Sequence, residues 1–339
     1  MLTFVLRRLL SLPLVMLALT VVIVGLMQLL SPQERAVSFV TNERQMGNLD
    51  KIIKEHGLDQ PFYIQYGNWL SEAVRGNLGY SKASNKPVIE TIIERFPATF
   101  ELALFACIPI IALGIWLGTL MALRKDKLVD QVMRVFTVIG NSLPTFMVGI
   151  VLLVIFYGVL GWLPATSRVD AILEITNPVP RVTGFITIDS ILAGQWVVLG
   201  DALRHMVLPV ITLSTVLSAA TTKVMRAQML EVLKSDYVRT ARSKGLSEST
   251  VNLKHARSNA LLPIVTLGSF VVQGLIGGAV ITESIFAYPG IGSWGATAAV
   301  RLDYPGILGF ALLSAMITVF GNLMADILYG FFDPRVRFD

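Results

Sequence analysis

Six runs of apolar residues, each long enough to cross about 30 Å of hydrocarbon as about 20 residues of helix, constrain this chain more than any other feature. They lie near Leu9 to Leu30, Phe100 to Leu123, Val132 to Leu160, Met206 to Met225, Leu261 to Ile285 and Gly306 to Phe332. The last four are interrupted by Gly, Pro or polar residues, which a packed bundle or a cavity tolerates. Composition agrees, since 54% of the 339 residues are hydrophobic and only 15% are charged, against about 25% charged in ordinary soluble domains. The expected fold class is all-α integral membrane, with six transmembrane helices and both termini on one side. Arg7 and Arg8 precede the first run as in a secretory signal. That run outlasts the usual apolar stretch of about 7 to 15 residues and has no small-residue cleavage site, so a retained helix is expected.

Orientation follows from the short loops, because basic residues gather on the cytoplasmic side of the span ends. One side holds Arg7 and Arg8, the Arg124-Lys125-Asp126-Lys127 turn, eight Lys and Arg between Lys223 and Arg257, and Arg335 with Arg337. That side, with both termini, is expected to be cytoplasmic. The net charge of +5 is thereby spent on topology, and no nucleic-acid partner is expected. Two long segments face the other way, Ser31 to Ala98 and Gly161 to His205. Within the first, Leu49 to His56 and Phe62 to Val74 have helical apolar spacing, separated by Gly57 and Pro61 as stop and start, which predicts a small external cap. Cys107 is the only cysteine, so neither a disulfide framework nor a thiolate metal cluster is expected, and no metal site is assigned. His56, His205 and His255 fall in separate regions, and no hydrolase or zinc-protease motif occurs, which argues against an enzyme. An ion-driven secondary transporter would predict inverted repeats and paired broken helices, and neither is evident.

Between the fourth and fifth runs, Glu231 to Asn259 is too long for a minimal turn and too amphipathic for a floppy linker. Val238, Ala241 and Leu246 are spaced to face an apolar contact, while Arg239, Arg242 and Lys244 remain for a polar one. Gly245 stands where a chain takes positive φ at a helix end. Ser247 and Glu248 then begin a second helix as cap and acidic first turn. Val251, His255, Asn259 and Pro263 follow at steps of four, on one face leading into the fifth span. Two readings fit these residues: a docking knob, or a basic helix lying on anionic lipid.

The run Tyr237-Val238-Arg239-Thr240-Ala241-Arg242-Ser243-Lys244-Gly245-Leu246-Ser247, continued by His255-Ala256 and Asn259-Ala260-Leu261-Leu262-Pro263, resembles the cytoplasmic loop of ABC importer permeases. It is similar to the dipeptide, oligopeptide and nickel branch, in which Arg-Thr-Ala replaces the general Glu-Ala-Ala signature. The likeness extends over nearly the whole chain. It includes Gly57-Leu58-Asp59-Gln60-Pro61, Gly76-Asn77-Leu78-Gly79-Tyr80-Ser81, Ser142-Leu143-Pro144, Glu283-Ser284-Ile285-Phe286-Ala287-Tyr288-Pro289-Gly290-Ile291-Gly292 and Asp333-Pro334-Arg335. One departure is Ser31-Pro32-Gln33-Glu34, where the family often has Pro-Gly-Asp-Pro.

The resemblance implies a type I ABC importer permease fold in a bacterial cytoplasmic membrane. The first span and N-terminus occupy residues 1–30, an external segment residues 31–98 and the permease core residues 99–339, with a coupling loop at 226–262. It implies an ATPase-coupling helix made of Asp236, Tyr237, Val238, Arg239, Thr240, Ala241, Lys244, Gly245 and Leu246. Its partners would be two ABC ATPase subunits, a second homologous permease subunit, a substrate-binding protein and a peptide substrate, in contact with membrane lipid. Related permeases also serve nickel chelates, oligosaccharides and antimicrobial peptides. The chain has no Gly-x-x-x-x-Gly-Lys-Ser/Thr loop, so ATP and Mg are expected on partner subunits and no cofactor here. Polar residues inside spans are costly and mark pathways, which nominates Asn141 and Ser142 before Pro144, Gln273, Glu283 and Asp326. Ser142 bonding its own helix, and Gly274, Gly277 and Gly278 serving close helix packing, are the structural alternatives. Tyr288, Pro289, Gly290 and Gly292 form an outer-mouth turn, read as either a gate or a simple turn.

Overall fold

A computed structural model describes residues 2–37, 40, 48–277 and 279–332, and these are mostly helical. Gly278 and the Asp333-Pro334-Arg335 and Arg337 positions lie outside the described residues, as does the side chain of Asp326. Two helices dominate, Val88–Leu123 and Trp196–Val232, and they form the most extensive helix pair in the molecule. Each begins about ten residues before its apolar run, and the first carries Pro97 inside it without ending. At 36 and 37 residues they reach about 55 Å, well beyond about 30 Å of hydrocarbon.

Their contact rests on Gly114 and Gly118, one turn apart on the first helix. A Cβ at Gly114 would come within 2.5 Å of Thr221, and one at Gly118 within 2.6 Å of Met225. Small residues at this spacing let helix backbones approach where no hydrophobic effect draws them together. Gly274 meets nothing within 4 Å, so the packing role considered for it belongs to Gly114 and Gly118 instead.

Four helices among the described residues are long and apolar enough to cross a membrane, or five if one bent pair counts as a single span. That pair corrects the third expected span. Leu128–Ser142 and Thr145–Val159 meet at 101° rather than forming one rod. Pro144 has no N–H to give and excludes helical geometry from the residue before it. Leu143 is accordingly extended, at φ −80° and ψ 130°. The fifth run also divides, into Leu262–Ile276 and Val280–Ile285, beyond Gly277.

The cap between the first two runs folds as expected, with helices Leu49–Glu55 and Phe62–Val74 separated by Gly57 at φ +59°. Ala36, Ile52, Ile53 and Leu58 form its small core. Arg35 ties it together, donating to Gln28 Oε1 at 3.0 Å, Gln65 Oε1 at 2.7 Å and the Leu58 carbonyl at 2.9 Å. A short hairpin, Tyr80–Ser81 with Lys86–Pro87, then leads into the long helix. It is pinned from a distance: Ser81 donates to Asp303, and Trp294 Nε1 donates to Ser81 Oγ at 3.0 Å.

Candidate functional site

The loop between the fourth and fifth runs forms a helix, Asp236–Ser243, closed by a left-handed glycine and followed by a second helical segment. Gly245 sits at φ +77°. Its N–H donates to the Arg242 carbonyl at 2.9 Å and the Leu246 N–H to the Ala241 carbonyl at 3.4 Å. This is the paired closure that satisfies the last carbonyls of a helix. Ser247 Oγ then accepts from the Thr250 N–H at 3.3 Å, capping the next segment. Arg242 bridges the turn to Glu248 with bonds of 2.8 and 3.2 Å, and this guanidinium holds the exposed Glu248 carboxyl below the usual carboxylate range.

The knob has an inner and an outer face. Val238 and Ala241 are buried against Met225, Met229, Val251, Ala256, Ala260 and Ile264, so the helix is fastened to the lower ends of the long helices. Asp236, Tyr237, Arg239, Thr240, Lys244 and Leu246 are exposed. Leu246, expected in the apolar contact, is 41% exposed and belongs to the outer face. The face predicted at steps of four from Val251 is also corrected. A π turn spans Val251–Ala256 and inserts one extra residue into the helical count. The buried line therefore runs Val251, Ala256, Ala260, Ile264, leaving His255 and Pro263 half-buried and Asn259 exposed.

One residue along from Met225, Arg226 holds a buried carboxylate that polarity inside the spans did not nominate. Asp130 has no solvent exposure and receives Arg226 Nε at 2.8 Å, Arg226 Nη2 at 2.7 Å, Arg134 Nη2 at 2.7 Å and the Asp126 N–H at 3.0 Å. A bidentate guanidinium–carboxylate pair fixes direction as well as distance. It joins the start of Leu128–Ser142 to the C-terminal part of Trp196–Val232. The partners are 96 residues apart in sequence, which no local pattern reveals.

The remaining nominated residues separate into groups. Asn141, Ser142 and Pro144 are exposed at the bend, and Ser142 Oγ donates to its own helix at the Val138 carbonyl, 2.8 Å away. Gln273 lines a cavity of about 1020 Å³ between Val88–Leu123, Leu262–Ile276 and Tyr304–Phe332, and its Nε2 is buried with no hydrogen-bond partner among the described residues. Glu283 is wholly buried and braces the turn from Tyr288 to Gly292. Thr99 Oγ1 donates to Glu283 Oε1 at 2.8 Å, while the Ser293 N–H donates to Oε2 at 2.8 Å and the Ile291 N–H to Thr99 Oγ1 at 2.8 Å. Tyr288 is buried, Pro289 is exposed, and Gly290 and Gly292 press on the carboxylate.

Gly290 is required by space rather than by φ, since an added Cβ would overlap Glu283 and come within 2.5 Å of Thr99 Oγ1. Gly290→Ala is expected to lower the melting temperature of the detergent-purified protein, by an overpacking cost of about 1–3 kcal/mol. An unchanged melting curve would show that the turn yields freely. A second buried carboxylate, Glu101, is held by Arg168 and by the Thr187 N–H at 2.9 Å, tying the segment after Gly161 to Val88–Leu123. Glu101 went unnominated because it stands at the edge of an apolar run and its partners lie in a distant loop.

A family model described as the binding-protein-dependent transport system inner membrane component matches residues 114–338, and the model for the N-terminal part of such membrane components matches residues 1–103. A dipeptide transport system permease protein of Alkalihalophilus pseudofirmus is 35% identical, with 100% of each chain covered. A probable D,D-dipeptide transport system permease protein of Escherichia coli is 39% identical over 85% of this chain and 84% of its own. An oligopeptide transport system permease protein of Bacillus subtilis is 33% identical, with 100% of each covered. The fastened knob, the apolar helical body and these matches together place the chain in the family of inner-membrane components of binding-protein-dependent transport systems, as a multi-pass bacterial membrane protein.

Proposed function

We propose that this chain is the permease subunit of an ATP-driven peptide importer, supplying half of the translocation pathway and no ATPase site of its own. In this reading the Leu2–Met27 helix and the bent pair complete six spans, both termini are cytoplasmic, and two ATPase subunits bind beneath. The single observation that carries it is the two-faced knob, whose inner side is locked to the core while Tyr237, Arg239, Thr240, Lys244 and Leu246 face outward. An element so fastened transmits rigid-body motion of whatever grips its outer face. ATP and Mg then act on those partners, and a binding protein delivers the substrate from outside.

The apolar cavity beside Gln273 supports a second permease subunit across that face, because Phe100, Ile111, Ile317 and Phe320 line it with little polar surface. An unpaired amide aimed into such a seam suits a pathway position. The peptide assignment draws on the names of the relatives, which span dipeptide and oligopeptide systems. Purification from the native membrane in mild detergent, followed by identification of bound proteins, tests the assembly. Recovery of two ATPases and a second permease is expected. Recovery of this chain alone with the knob intact would overturn the reading in favour of a helix resting on lipid.

A further inference from the structure

On the external side, a second cavity of about 430 Å³ lies between the start of Val88–Leu123, the loop after Gly161 and the Tyr288–Gly292 turn. Its volume falls within the about 300–1,000 Å³ range of small-molecule sites. Most charged groups lining it are committed elsewhere. Lys86 pairs with Glu94 at 2.7 Å, which raises its pKa, and Arg168 pairs with Glu101. Arg181 Nη2 donates to the Ile93 and Glu94 carbonyls at 2.8 and 3.1 Å. Asp189 accepts from the Val182, Thr183 and Gly184 N–H groups and from the Thr183 hydroxyl.

Two charged side chains lack a hydrogen-bonded partner among the described residues. Arg95 is half-buried and makes no hydrogen bond or ion pair among the described residues, and Glu174, exposed at the rim, has no side-chain partner among them either. The Glu94 and Glu283 carboxylates lie close enough to act on Arg95, yet a half-buried guanidinium that hydrogen-bonds neither keeps part of its desolvation cost and its planar set of donors, which match a carboxylate bidentately. Ala98, Val169, Val179 and Ile186 give the same cavity apolar wall, suited to side chains of varied size.

We infer that this cavity is an outer acceptor site for a free short peptide, whose C-terminal carboxylate lies on Arg95 and whose ammonium group faces Glu174. It rests on the importer reading for its biological sense and adds to it a direct contact between permease and substrate. Pro289 lines the same cavity, so an occupant also touches the turn held by Glu283.

The test uses the whole complex reconstituted in nanodiscs without binding protein, titrated with Ala-Ala, its C-terminal amide and its N-acetyl derivative by saturation-transfer NMR. The free dipeptide is expected to bind at least about tenfold more tightly than the amide, as loss of one charge-assisted bidentate pair predicts. Arg95→Gln should erase that preference, Arg95→Lys should keep part of it, and Glu174→Gln should erase the preference over the N-acetyl form. Equal binding of free and amidated peptide, no binding of either, or an unchanged preference in Arg95→Gln would each overturn the site. So would an Arg95→Gln variant that loses only its grip on the binding protein, because the carboxylate would then belong to that protein. Uptake of labelled dipeptide by the complete wild-type system is scored separately, and its absence would sink the importer reading whatever the titration shows.

Discussion

Gly245→Val is expected to abolish peptide uptake by the reconstituted importer while the chain still inserts, assembles and supports ATP hydrolysis. The cause is backbone geometry alone. At φ +77° a β-branched residue pays about 1–2 kcal/mol, while an added Cβ meets nothing within 4 Å. The strain is relieved by moving φ to negative values, which breaks the Leu246 N–H to Ala241 bond and turns Ser247 and Glu248 away from the Asp236–Ser243 helix. The outer face then loses its shape although Val238 and Ala241 stay buried. Gly245→Asn, which tolerates the left-handed region, should retain most transport. Peptide transported per ATP hydrolysed is the quantity to measure, with a fall of about tenfold or more for valine, equivalent to at least one lost transition-state contact. A normal ratio in the valine variant would remove the turn from the coupling path.

Asp130→Ala should produce the largest loss of stability among single truncations near the knob. The variant leaves the Arg226 and Arg134 guanidiniums with only the exposed Asp126, 3.7 Å from Arg134, as a neighbouring anion. Breaking a buried pair costs about 3–5 kcal/mol, and the figure here is reduced to about 2–3 kcal/mol because Arg226 keeps 21% and Arg134 keeps 50% of its exposure. Thermal unfolding in detergent reads this as a clear drop in melting temperature. Asp130→Ala with Arg226→Met should recover part of it, since the double change removes the uncompensated charge as well as the bond. A melting temperature matching wild type in Asp130→Ala would show the pair to be a surface ornament.

The parts of this architecture that depend on local rules were legible in the residues. Gly57 and Pro61 separate the cap helices, Gly245 takes positive φ, and Val238 with Ala241 turns inward, because each follows from helix periodicity or from the geometry of one residue type. What periodicity could not supply was phase. Pro144 turned one apolar run into two helices at 101°, and the π turn at Val251–Ala256 moved the buried line one residue from where steps of four put it. Long-range pairing was equally hidden: Glu101 with Arg168, Asp130 with Arg226 and Ser81 with Asp303 are joined only by the fold. The Gly114–Gly118 pair was visible as a small-xxx-small spacing, yet attention to interrupted spans favoured Gly274. Arg95 and Glu174 stand out only once their neighbours are seen to be paired.

The π turn has a further consequence, for the lengths of chain this loop can accept. A single residue of α-helix corresponds to about 100° of rotation and 1.5 Å of rise. Val251–Ala256 holds one residue more than an α-helical turn would. Deleting one residue there would let the segment relax into regular helix, and everything before it would swing by that angle about the axis of the fifth span. The knob would remain intact, with every side chain present and every cap made, yet its outer face would address a different direction. The separation between Gly245 and Ile264 is therefore a phase setting, and a one-residue insertion or deletion between them is a rotation rather than a change of reach.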